Sequence, residues 1–439
     1  MNRPKVSWSD LRHMQVGLYG LGREGSANLR KLRSMGVEPT IVTDVPKASY
    51  GEEILATADG GLAALERCDV VVKTPGISRS RPEVTRLAEC GVPVVGGLGL
   101  WLQEAPLTRV ICVTGTKGKS TTSSLLGHLL TGLGYRCLVG GNIGVPPYDP
   151  ELPGTGDYDY WVIEVSSYQA TDLASSPPVV AVTSLHPDHL PWHGGVEQYY
   201  QDKLSACSQP GASLTVANGD SDLLRARAGL LGPHIDWVSE HDSPDATWID
   251  ALRLPGQHNR RNALIAQRCL LALGVAGARD DEALRAAAAS YQGLPSRLTT
   301  IGVVDGVSFI DDSLSTNVLA TLAALDTFPG RRVALIVGGQ DRGIDYAPLV
   351  SNVIAREWPT LVLTLPDSGR RISAAFAGSG PTRTIDCPDL EAAVREGFSW
   401  AHPEGIVLLS PAAPSFGHFR DYRDRADAFT RAMRVYAQP

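Results

Sequence analysis

The chain has 439 residues, which is too long for one ordinary hydrophobic core, so we expect two to four domains. Its hydrophobic content of 43% and charged content of 20% are typical of a soluble globular protein. The formal net charge of −7 argues against nucleic acid as the main partner, although local basic sites for phosphate remain compatible with it.

The N-terminus and the cysteines indicate a cytoplasmic protein. Residues 1–5 lead into a polar stretch, and no run approaches the roughly 18 apolar residues that a membrane span needs. The seven cysteines are scattered, with no C-x-x-C pair. We therefore expect reduced, mostly buried thiols in a cytoplasmic protein that has no membrane span.

The N-terminal region has the pattern of a nucleotide-binding α/β lobe. A strand from Val16 runs into a G-x-G-x-x-G turn at 20–25, and a second strand ends at Asp44. An acid at about this distance matches the dinucleotide fingerprint. A third strand over 69–77 contains a Thr-Pro-Gly turn at 74–76 that could approach a ligand closely. The pattern predicts a Rossmann-like lobe that binds a nucleotide; a purely structural lobe is the alternative.

A strand, a Gly-rich turn and a helix follow one another over 110–133. The turn at 115–120 is a shortened phosphate-binding loop, because Val113 stands where the longer motif has glycine. Its backbone N–H groups and the helix N-terminus would surround phosphate oxygens. Lys119 would pair with the terminal phosphates and the Ser120 hydroxyl would bind Mg²⁺. An ordinary strand-to-helix turn is the alternative.

An acid and a group of histidines follow this loop. A strand ends at Glu164, and an acid in that position beside a phosphate loop commonly binds Mg²⁺. The segment 186–193 contains three of the ten histidines, together with Asp188. A hydrogen-bonded surface loop is the alternative, and a zinc site is disfavoured because the segment has no cysteine. Lys203 follows on a helix and, by itself, has the pattern of a solvated charge.

The last third of the chain alternates between strands and helices. An Ala-rich helical stretch around Asn262 leads to a linker over 291–298, where Arg297 is either a phosphate contact or an ordinary surface residue. Strands are predicted over 307–310, 332–337, 361–365 and 406–410. This alternation predicts a further parallel sheet, with ligand-binding turns at the C-terminal ends of its strands.

Nine segments together resemble the Mur ligase family, and within it the MurD type, over nearly the whole chain. They are GTKGKST (115–121), GNIG (141–144), EVSSYQ (164–169), DHLPWH (188–193), DKL (202–204), HNRRNA (258–263), DSLST (312–316), GGQDRG (338–343) and LLSPAAPSF (408–416). The resemblance implies an α/β protein of three domains. These are an N-terminal Rossmann-like domain that binds the UDP substrate (1–106), a central ATP-binding P-loop domain (107–296) and a C-terminal Rossmann-like domain that binds glutamate (297–439).

The resemblance also implies an activity in cytoplasmic peptidoglycan synthesis. Such enzymes join glutamate to UDP-N-acetylmuramoyl-L-alanine through an acyl phosphate, and they cleave ATP to ADP and phosphate. The implied cofactors are ATP and Mg²⁺ at two sites. The implied partners are the UDP substrate, glutamate and ATP, with no nucleic acid, and we expect a monomer.

Matching motifs imply roles for single residues. Lys119, His189 and Lys203 match catalytic positions, and Lys203 matches a lysine that the family carbamylates with CO₂ to make an anionic metal ligand. The metal positions are Ser120, Glu164, His189 and carbamylated Lys203. The ATP positions are Gly115, Thr116, Lys117, Gly118, Lys119, Ser120, Thr121, Asn262, Arg297 and Asp312. The UDP-substrate positions are Gly20, Leu21, Thr43, Asp44, Thr74, Pro75, Gly76, Asn142 and Ser166. The glutamate positions are Thr316, Arg342 and Ser415, with Tyr422 nearby as packing.

Two departures from the family pattern bear on which enantiomer of glutamate is added. Enzymes that add D-glutamate usually have a lysine where this chain has Leu314, and another lysine where it has Arg342. Loss of one lysine and exchange of the other for a forked guanidinium change how a dicarboxylate is held. The replacements resemble the variant group that adds L-glutamate, so we favour L-glutamate, with D-glutamate as the alternative.

Three other functions were weighed against the sequence. A nicotinamide-dependent oxidoreductase would use the turn at 20–25, but it leaves the phosphate loop and Glu164 without a role. A folate polyglutamylating ligase lacks the N-terminal nucleotide lobe that residues 16–77 supply. A non-catalytic ATP-driven switch would hydrolyse ATP without a carboxylate substrate.

Overall fold

Three β-sheets organise the chain. The structure is a computed structural model, and it describes residues 3–46, 53–152, 157–378 and 382–437, so the first two residues of the predicted polar N-terminus lie outside it. The chain divides into two compact units: Met1–Arg253 with Asn259–Tyr291, and Leu254–His258 with Gln292–Pro439. The first two sheets belong to the first unit and the third sheet to the second. The α/β class predicted from the sequence is confirmed.

The first sheet is a five-stranded, fully parallel sheet in the order β3-β2-β1-β4-β5. Its strands are β1 (Val16–Tyr19), β2 (Thr40–Thr43), β3 (Leu55–Ala56), β4 (Val70–Lys73) and β5 (Val94–Gly96). The helices are α1 (Arg23–Ser34), α2 (Leu62–Leu65), α3 (Pro82–Glu89) and α4 (Gly97–Leu102). Strands β1 and β4 are buried along their whole length, which explains their runs of apolar residues.

The second sheet has six parallel strands in the order β11-β10-β9-β6-β8-β7. They are β6 (Val110–Thr114), β7 (Cys137–Gly141), β8 (Tyr160–Glu164), β9 (Val179–Val182), β10 (Leu214–Asn218) and β11 (Ile235–Val238). The helices are α5 (Lys119–Gly132), α6 (Ser167–Ala170), α7 (Leu190–His193), α8 (Val196–Leu204), α9 (Asp222–Arg225), α10 (Gln257–Ala272) and α11 (Asp281–Ala288). Strand β6 lies between β8 and β9 in this sheet, so its C-terminal end lies between the C-terminal ends of these two strands.

The third sheet has the order β12-β13-β17-β14-β15-β16, and only the β12–β13 pair is antiparallel. Its strands are β12 (Thr299–Val304), β13 (Val307–Asp311), β14 (Val333–Gly339), β15 (Thr360–Asp367), β16 (Arg383–Asp386) and β17 (Ile406–Leu409). The helices are α12 (Val318–Asp326), α13 (Ala347–Ala355), α14 (Ser368–Phe376), α15 (Leu390–Ala401) and α16 (Tyr422–Arg434). Two buried apolar clusters pack around this sheet.

The predicted strands are confirmed, but several of their ends differ. The strand predicted over 69–77 ends at Lys73, because the Thr74 amide bonds to Tyr19 O at 3.0 Å and the chain then turns. Strands β3, β7, β10, β11, β12 and β16 were not predicted, because they are short or lack long apolar runs.

Buried ion pairs join the first sheet to the second within the first unit. Lys73 Nζ lies 2.5 Å from Asp172 Oδ2, and both side chains are almost fully buried. Arg79 Nε donates to the other oxygen of Asp172 at 2.7 Å. Gln169 donates to Glu24 at 2.7 Å, and burial raises the pKa of that carboxyl to about 7. These contacts fix the relative position of the two sheets.

Two further expectations can be compared with the described residues. Within them, no helix combines the length and the apolar character needed to cross a membrane. All seven cysteines are free, and five of them are buried, as the scattered pattern predicts.

Candidate active site

The phosphate loop lies between β6 and α5, as predicted. Gly115 and Gly118 have φ angles of 135° and 89°, which L side chains rarely adopt. A Cβ atom on Gly115 would lie 2.2 Å from Thr183 Oγ1, so the neighbouring segment leaves no room for a side chain. Both glycines are therefore required by the backbone path of the loop.

The segment after β9 holds the phosphate loop in place. The Lys117 amide donates to Ser184 Oγ at 2.8 Å, and the Thr116 amide donates to Ser184 O at 2.9 Å. The Thr116 hydroxyl lies 2.8 Å from the Tyr199 hydroxyl of α8. These protein contacts hold the loop conformation.

Two lysine ammonium groups converge on the loop. Lys119 Nζ donates to Gly115 O at 2.8 Å and to Thr116 O at 3.0 Å. Lys203 Nζ, from α8, donates to the same Gly115 O at 3.0 Å. Lys203 is 3% exposed, so the expectation of a solvated charge was wrong. Burial, reinforced by the nearby Lys119, holds the pKa of Lys203 well below its usual range.

Glu164 ends β8 and pairs in register with Val113 of β6, which places its carboxylate beside the phosphate loop. Its Oε1 accepts from Asn142 Nδ2 at 2.7 Å. Its Oε2 is buried and has no hydrogen-bond partner within the described residues. A buried carboxylate oxygen left without a partner is costly, and a hard cation such as Mg²⁺ would satisfy it. Together with the Ser120 hydroxyl at the start of α5, this donor chemistry suits Mg²⁺.

The histidines of the segment 186–193 differ in their burial and in the groups that they contact. The His193 side chain is fully buried, and its ring nitrogens lie 2.7 Å from Asp202 Oδ2 and 3.0 Å from Ser167 Oγ. His193 therefore has a structural role. The His189 side chain is 49% exposed, and its ring lies at a tilt to the Tyr168 ring with centroids 5.2 Å apart, while its backbone φ is 52°. Desolvation lowers the pKa of His189, which favours the neutral form that binds metals.

The described residues contain no cluster of three or more His, Cys, Asp or Glu side chains that could hold a metal ion. The predicted metal ligands include Ser120 and Lys203, which lie outside these residue types. A complete Mg²⁺ shell would therefore also need phosphate oxygens or water, as is usual for this ion.

Asn262 is the predicted ATP contact on α10, and the structure places it beside the phosphate loop. It is 6% exposed, and a Cβ atom on Gly118 would lie 3.1 Å from its Oδ1. Lys117 lies on the outer side of the loop, where its Nζ is 3.7 Å from Asp188. Thr121 follows within the first turn of α5.

The first sheet has the backbone geometry that its glycine pattern predicts. Gly20 has a φ of 91°, and a Cβ atom on Gly25 would lie 2.3 Å from Gly20 O. Leu21 and Thr43 are buried, and the Thr43 hydroxyl has no partner among the described residues. The close approach of Gly25 to Gly20 and Thr74 leaves no room for a side chain where α1 packs against the turn after β1.

Three neighbouring side chains donate hydrogen bonds to the Asp44 carboxylate. It accepts from Arg81 NH1 at 2.7 Å, from the Thr57 hydroxyl at 3.0 Å and from the Tyr19 hydroxyl at 3.2 Å. Hydrogen bonding by Arg81 is the main reason why the pKa of Asp44 is lowered. The sequence reasoning did not find Arg81. The carboxylate that would bind a ribose in a nicotinamide enzyme is thus already paired.

The turn at 74–76 lies against the histidine segment. Trp192 Nε1 donates to Gly76 O at 2.8 Å, and the Trp192 ring stacks on Tyr168 with centroids 4.2 Å apart. Ser166 accepts from the Gln169 amide at 3.2 Å and caps α6, a structural role that its motif did not reveal. The turn at 74–76 therefore lies beside the segment that contains His189 and Trp192.

Asp312, the predicted ATP contact of the second unit, is almost fully buried at the end of β13. Its carboxylate accepts from Ser410 Oγ at 2.7 Å, from Ser315 Oγ at 2.5 Å and from the Leu298 amide at 3.2 Å. Burial raises the pKa of Asp312 to about 6. Half-buried Arg297 lies between Ser296 and Leu298, which have φ angles of 58° and 50°.

The predicted glutamate residues differ in exposure. Ser415 is 5% exposed and lines a cavity at the C-terminal ends of β14 and β15. Arg342 is exposed, and its NH2 lies 3.4 Å from Gln340 Oε1. Thr316 and Tyr422 are half-buried, and Tyr422 begins α16. The sequence reasoning missed Arg425, which lines the same cavity as Ser415.

The fold and the site define a class of protein, an ATP-dependent ligase that forms amide bonds. The chain matches the Mur ligase middle domain over residues 113–234 and the Mur ligase, glutamate ligase domain, over residues 296–413. It therefore belongs to the Mur ligase family, whose members act in peptidoglycan and cell-wall synthesis.

Relatives match along the whole chain. The chain is 41% identical to the UDP-N-acetylmuramoyl-L-alanine--L-glutamate ligase of a Micromonospora species, over 97% of this chain and 98% of that one. It is 39% identical to the enzyme of the same name from Salinispora tropica, with the same coverage, and 39% identical to that from Xanthomonas euvesicatoria, over 96% of each chain.

Solved structures share the fold at low identity. MurF from Acinetobacter baumannii has a TM-score of 0.58 at 18% identity, over 96% of this chain and 92% of that chain. MurC from Thermotoga maritima has a TM-score of 0.56 at 19% identity, over 96% and 100%. These likenesses show the three-sheet α/β architecture alone.

Proposed function

We propose that the protein joins L-glutamate to UDP-N-acetylmuramoyl-L-alanine, with ATP cleaved to ADP and phosphate. The observation that carries the proposal is that relatives about 40% identical over the whole chain bear the name of this L-glutamate ligase. Leu314 and Arg342, which replace the lysines usual in D-glutamate enzymes, support the same choice. The same ligation with D-glutamate is the alternative.

The residues of the first unit suit the activation step. A carboxylate is a poor electrophile, so one of its oxygens attacks the γ-phosphorus of ATP, ADP leaves, and an acyl phosphate forms. The Thr116 and Lys117 amides donate to Ser184, so the later N–H groups of the 115–120 loop would contact the phosphates, and Lys119 would offset the charge on the transferred group. Mg²⁺ bound by Ser120 and Glu164 would supply further positive charge at these oxygens.

The second step forms the amide. The neutral amine of glutamate attacks the acyl carbon, the tetrahedral intermediate collapses, and phosphate leaves with the former carboxylate oxygen. One proton is lost from the amine nitrogen. In this proposal Thr316, Arg342 and Ser415 hold the two carboxylates of glutamate, and Tyr422 packs nearby. Arg342 supplies a bidentate fork that fixes the plane of one carboxylate.

Lys203 is proposed to be carbamylated. Its buried amine, with a pKa held well below the usual range, is neutral over more of the pH scale than an exposed lysine. A neutral amine attacks CO₂ and, after loss of a proton, becomes an anionic carbamate. Such an anion beside Lys119 and Glu164 would give a second Mg²⁺ site an oxygen ligand, together with His189.

The remaining assignments belong to the same proposal. The UDP substrate would contact Gly20, Leu21, Thr43, Asp44, the turn at 74–76, Asn142 and Ser166. ATP would contact the phosphate loop, Asn262, Arg297 and Asp312. The cytoplasmic location and the monomeric state remain predictions, as do the boundaries of the three domains.

Phosphate release tests the proposed reaction. Purified protein is incubated with ATP, Mg²⁺ and UDP-N-acetylmuramoyl-L-alanine, with L-glutamate or D-glutamate added separately. We expect glutamate-dependent phosphate release and a product of the correct mass, with the larger kcat/KM for L-glutamate. A clear preference for D-glutamate would overturn the enantiomer assignment, and no release with either would overturn the ligase assignment.

A further inference from the structure

Arg425 is a fully buried cation in the first turn of α16. Its NH1 and NH2 donate to Ala413 O at 3.1 and 3.2 Å, and NH2 also donates to Ser313 O at 2.8 Å. Its Nε has no partner within the described residues. The guanidinium is therefore held mainly by two backbone carbonyls, although buried arginines are usually paired with an acid.

The two carbonyls belong to loops that carry predicted glutamate contacts. Ser313 lies in the loop after β13, which leads to Thr316, and Ala413 lies in the loop after β17, which leads to Ser415. Strands β13 and β17 are parallel neighbours, so their loops leave the same edge of the sheet side by side. Arg425 thus links the two loops directly beyond the strand ends.

The surroundings of Arg425 limit its movement. Arg425, Ser415 and Gly339 line one cavity. A Cβ atom on Gly339 would lie 2.4 Å from Pro414 O and 3.2 Å from Arg425 NH1. The end of β14 therefore packs directly against both the loop that contains Pro414 and the Arg425 guanidinium. A small displacement of the guanidinium would therefore be transmitted to the loop that holds Ser415.

The charge of Arg425 is retained although burial is unfavourable. Burial lowers its pKa to about 10, while the nearby Asp311 and Asp312 favour the charged form. The Asp312 carboxylate has its own three donors, including Ser410 Oγ at 2.7 Å, and does not depend on Arg425 for its position. A substitution of Arg425 should therefore displace the loops of Thr316 and Ser415 more than it displaces the Asp312 carboxylate.

We propose that Arg425 is a positioning residue for glutamate, which sets the distance between the loops of Thr316 and Ser415 by bridging Ser313 O and Ala413 O. The proposal rests on the proposed function of the site. Direct binding of a carboxylate is the less favoured role, because three guanidinium hydrogen bonds are already made to backbone and the acids Asp389 and Glu391 also line the cavity.

Arg356 provides a matched control in the same unit. It also donates to backbone carbonyls, those of Phe328 at 2.6 Å, Arg331 at 3.0 Å and Trp358 at 3.0 Å. These groups lie near the start of β14 (Val333) and β15 (Thr360), at the opposite edge of the sheet from Arg425. A purely structural arginine would behave like Arg356.

The test compares Arg425→Lys with Arg356→Lys. Lysine keeps the charge but cannot bridge both carbonyls with a planar fork. We expect Arg425→Lys to raise the KM for glutamate by about tenfold or more, because misplacement by about 1 Å can cost a factor of about 100. The KM for ATP and for the UDP substrate should change by less than about twofold, and Arg356→Lys should leave all three KM values unchanged.

A second readout separates this proposal from the ligase assignment. Hydroxylamine can replace glutamate as the nucleophile and trap an acyl phosphate as a hydroxamate. We expect Arg425→Lys to form hydroxamate at the wild-type rate while losing glutamate ligation. Absence of hydroxamate and of phosphate release in the wild type would instead contradict the proposed function.

Three outcomes would overturn the positioning role. The first is a folded Arg425→Lys whose KM for glutamate equals that of the wild type. The second is an equal change in all three KM values. If Arg425→Lys does not fold, Arg425→Gln, whose amide keeps two donors, is assayed in the same way; failure of both variants to fold while Arg356→Lys folds would show a structural role and overturn the proposal.

Discussion

Lys119 and Lys203 direct their ammonium nitrogens to the same backbone oxygen, Gly115 O, at 2.8 and 3.0 Å. Two positive charges so close together in a buried site repel each other, and burial adds to the cost of charging Lys203. The arrangement thus favours the neutral form of Lys203.

Lys119→Ala is expected to lower kcat by at least about 100- to 1,000-fold, the typical loss when one preorganised group that stabilises transition-state charge is removed. The Lys119 side chain contacts backbone carbonyls at the loop surface, so the melting temperature should change little. Phosphate release and thermal unfolding measure the two effects. Lys5→Ala, at an exposed position outside the assigned site, is the control and should keep its activity; near-normal ligation by Lys119→Ala would reject the assigned site.

Lys203→Ala is expected to be nearly inactive if Lys203 acts as a carbamate. Formate or acetate at millimolar concentration should then restore part of the activity, because a small carboxylate can occupy the space and replace the lost anionic ligand. Lys203→Arg is the control. Because the arginine side chain fills that space and carries a permanent positive charge, formate or acetate should not restore its activity. Wild-type activity in Lys203→Ala would remove this residue from the mechanism.

Asp312→Asn should change the dependence of stability on pH. The folded pKa of Asp312 is about 6, above the unfolded value of about 3.9, so its contribution to stability is fully present below about pH 4 and is lost as the pH rises through about 6. Asparagine does not ionise, so Asp312→Asn does not lose this contribution to stability as the pH rises. Its free energy of unfolding relative to the wild type should therefore rise by about 3 kcal/mol between pH 4 and pH 8. A difference that is independent of pH, measured by urea unfolding, would contradict the assignment.

Asp172→Asn should destabilise the first unit by about 3–5 kcal/mol, because it leaves Lys73 buried without its counter-ion. Urea unfolding followed by tryptophan fluorescence measures the change. Glu66→Gln, which removes a surface pair with Arg86, is the control and should lower the free energy of unfolding much less than Asp172→Asn does. Equal effects of the two substitutions would show that the buried pair does not hold the two sheets together.

Arg342→Lys is expected to lose most of the glutamate-dependent activity, because an ammonium cannot reproduce the bidentate fork that fixes a carboxylate plane. The loss should appear mainly in kcat/KM for L-glutamate, and the preference between enantiomers should weaken. Arg420→Lys, an 87% exposed position in the same unit, is the control. Unchanged kcat/KM in Arg342→Lys would place the glutamate carboxylates elsewhere.

The sequence by itself determined the features that depend on residues close together in the chain. The phosphate loop could be located because its glycines, its lysine and the flanking β6 and α5 are contiguous, and glycine is the residue that tolerates the φ angles of 135° and 89° found there. The alternation of strands and helices likewise predicted the α/β class, since hydrophobic period and turn chemistry are local properties.

Only the tertiary structure decided which charged groups are buried and what they contact. Lys203 has the sequence pattern of an exposed helical lysine, yet packing of α8 against the phosphate loop buries it at 3% exposure. Arg81 reaches Asp44, and Arg425 reaches Ser313, from distant parts of the chain. Burial and pKa depend on the dielectric surroundings and charges that distant elements bring together, and no local pattern of residues contains that information.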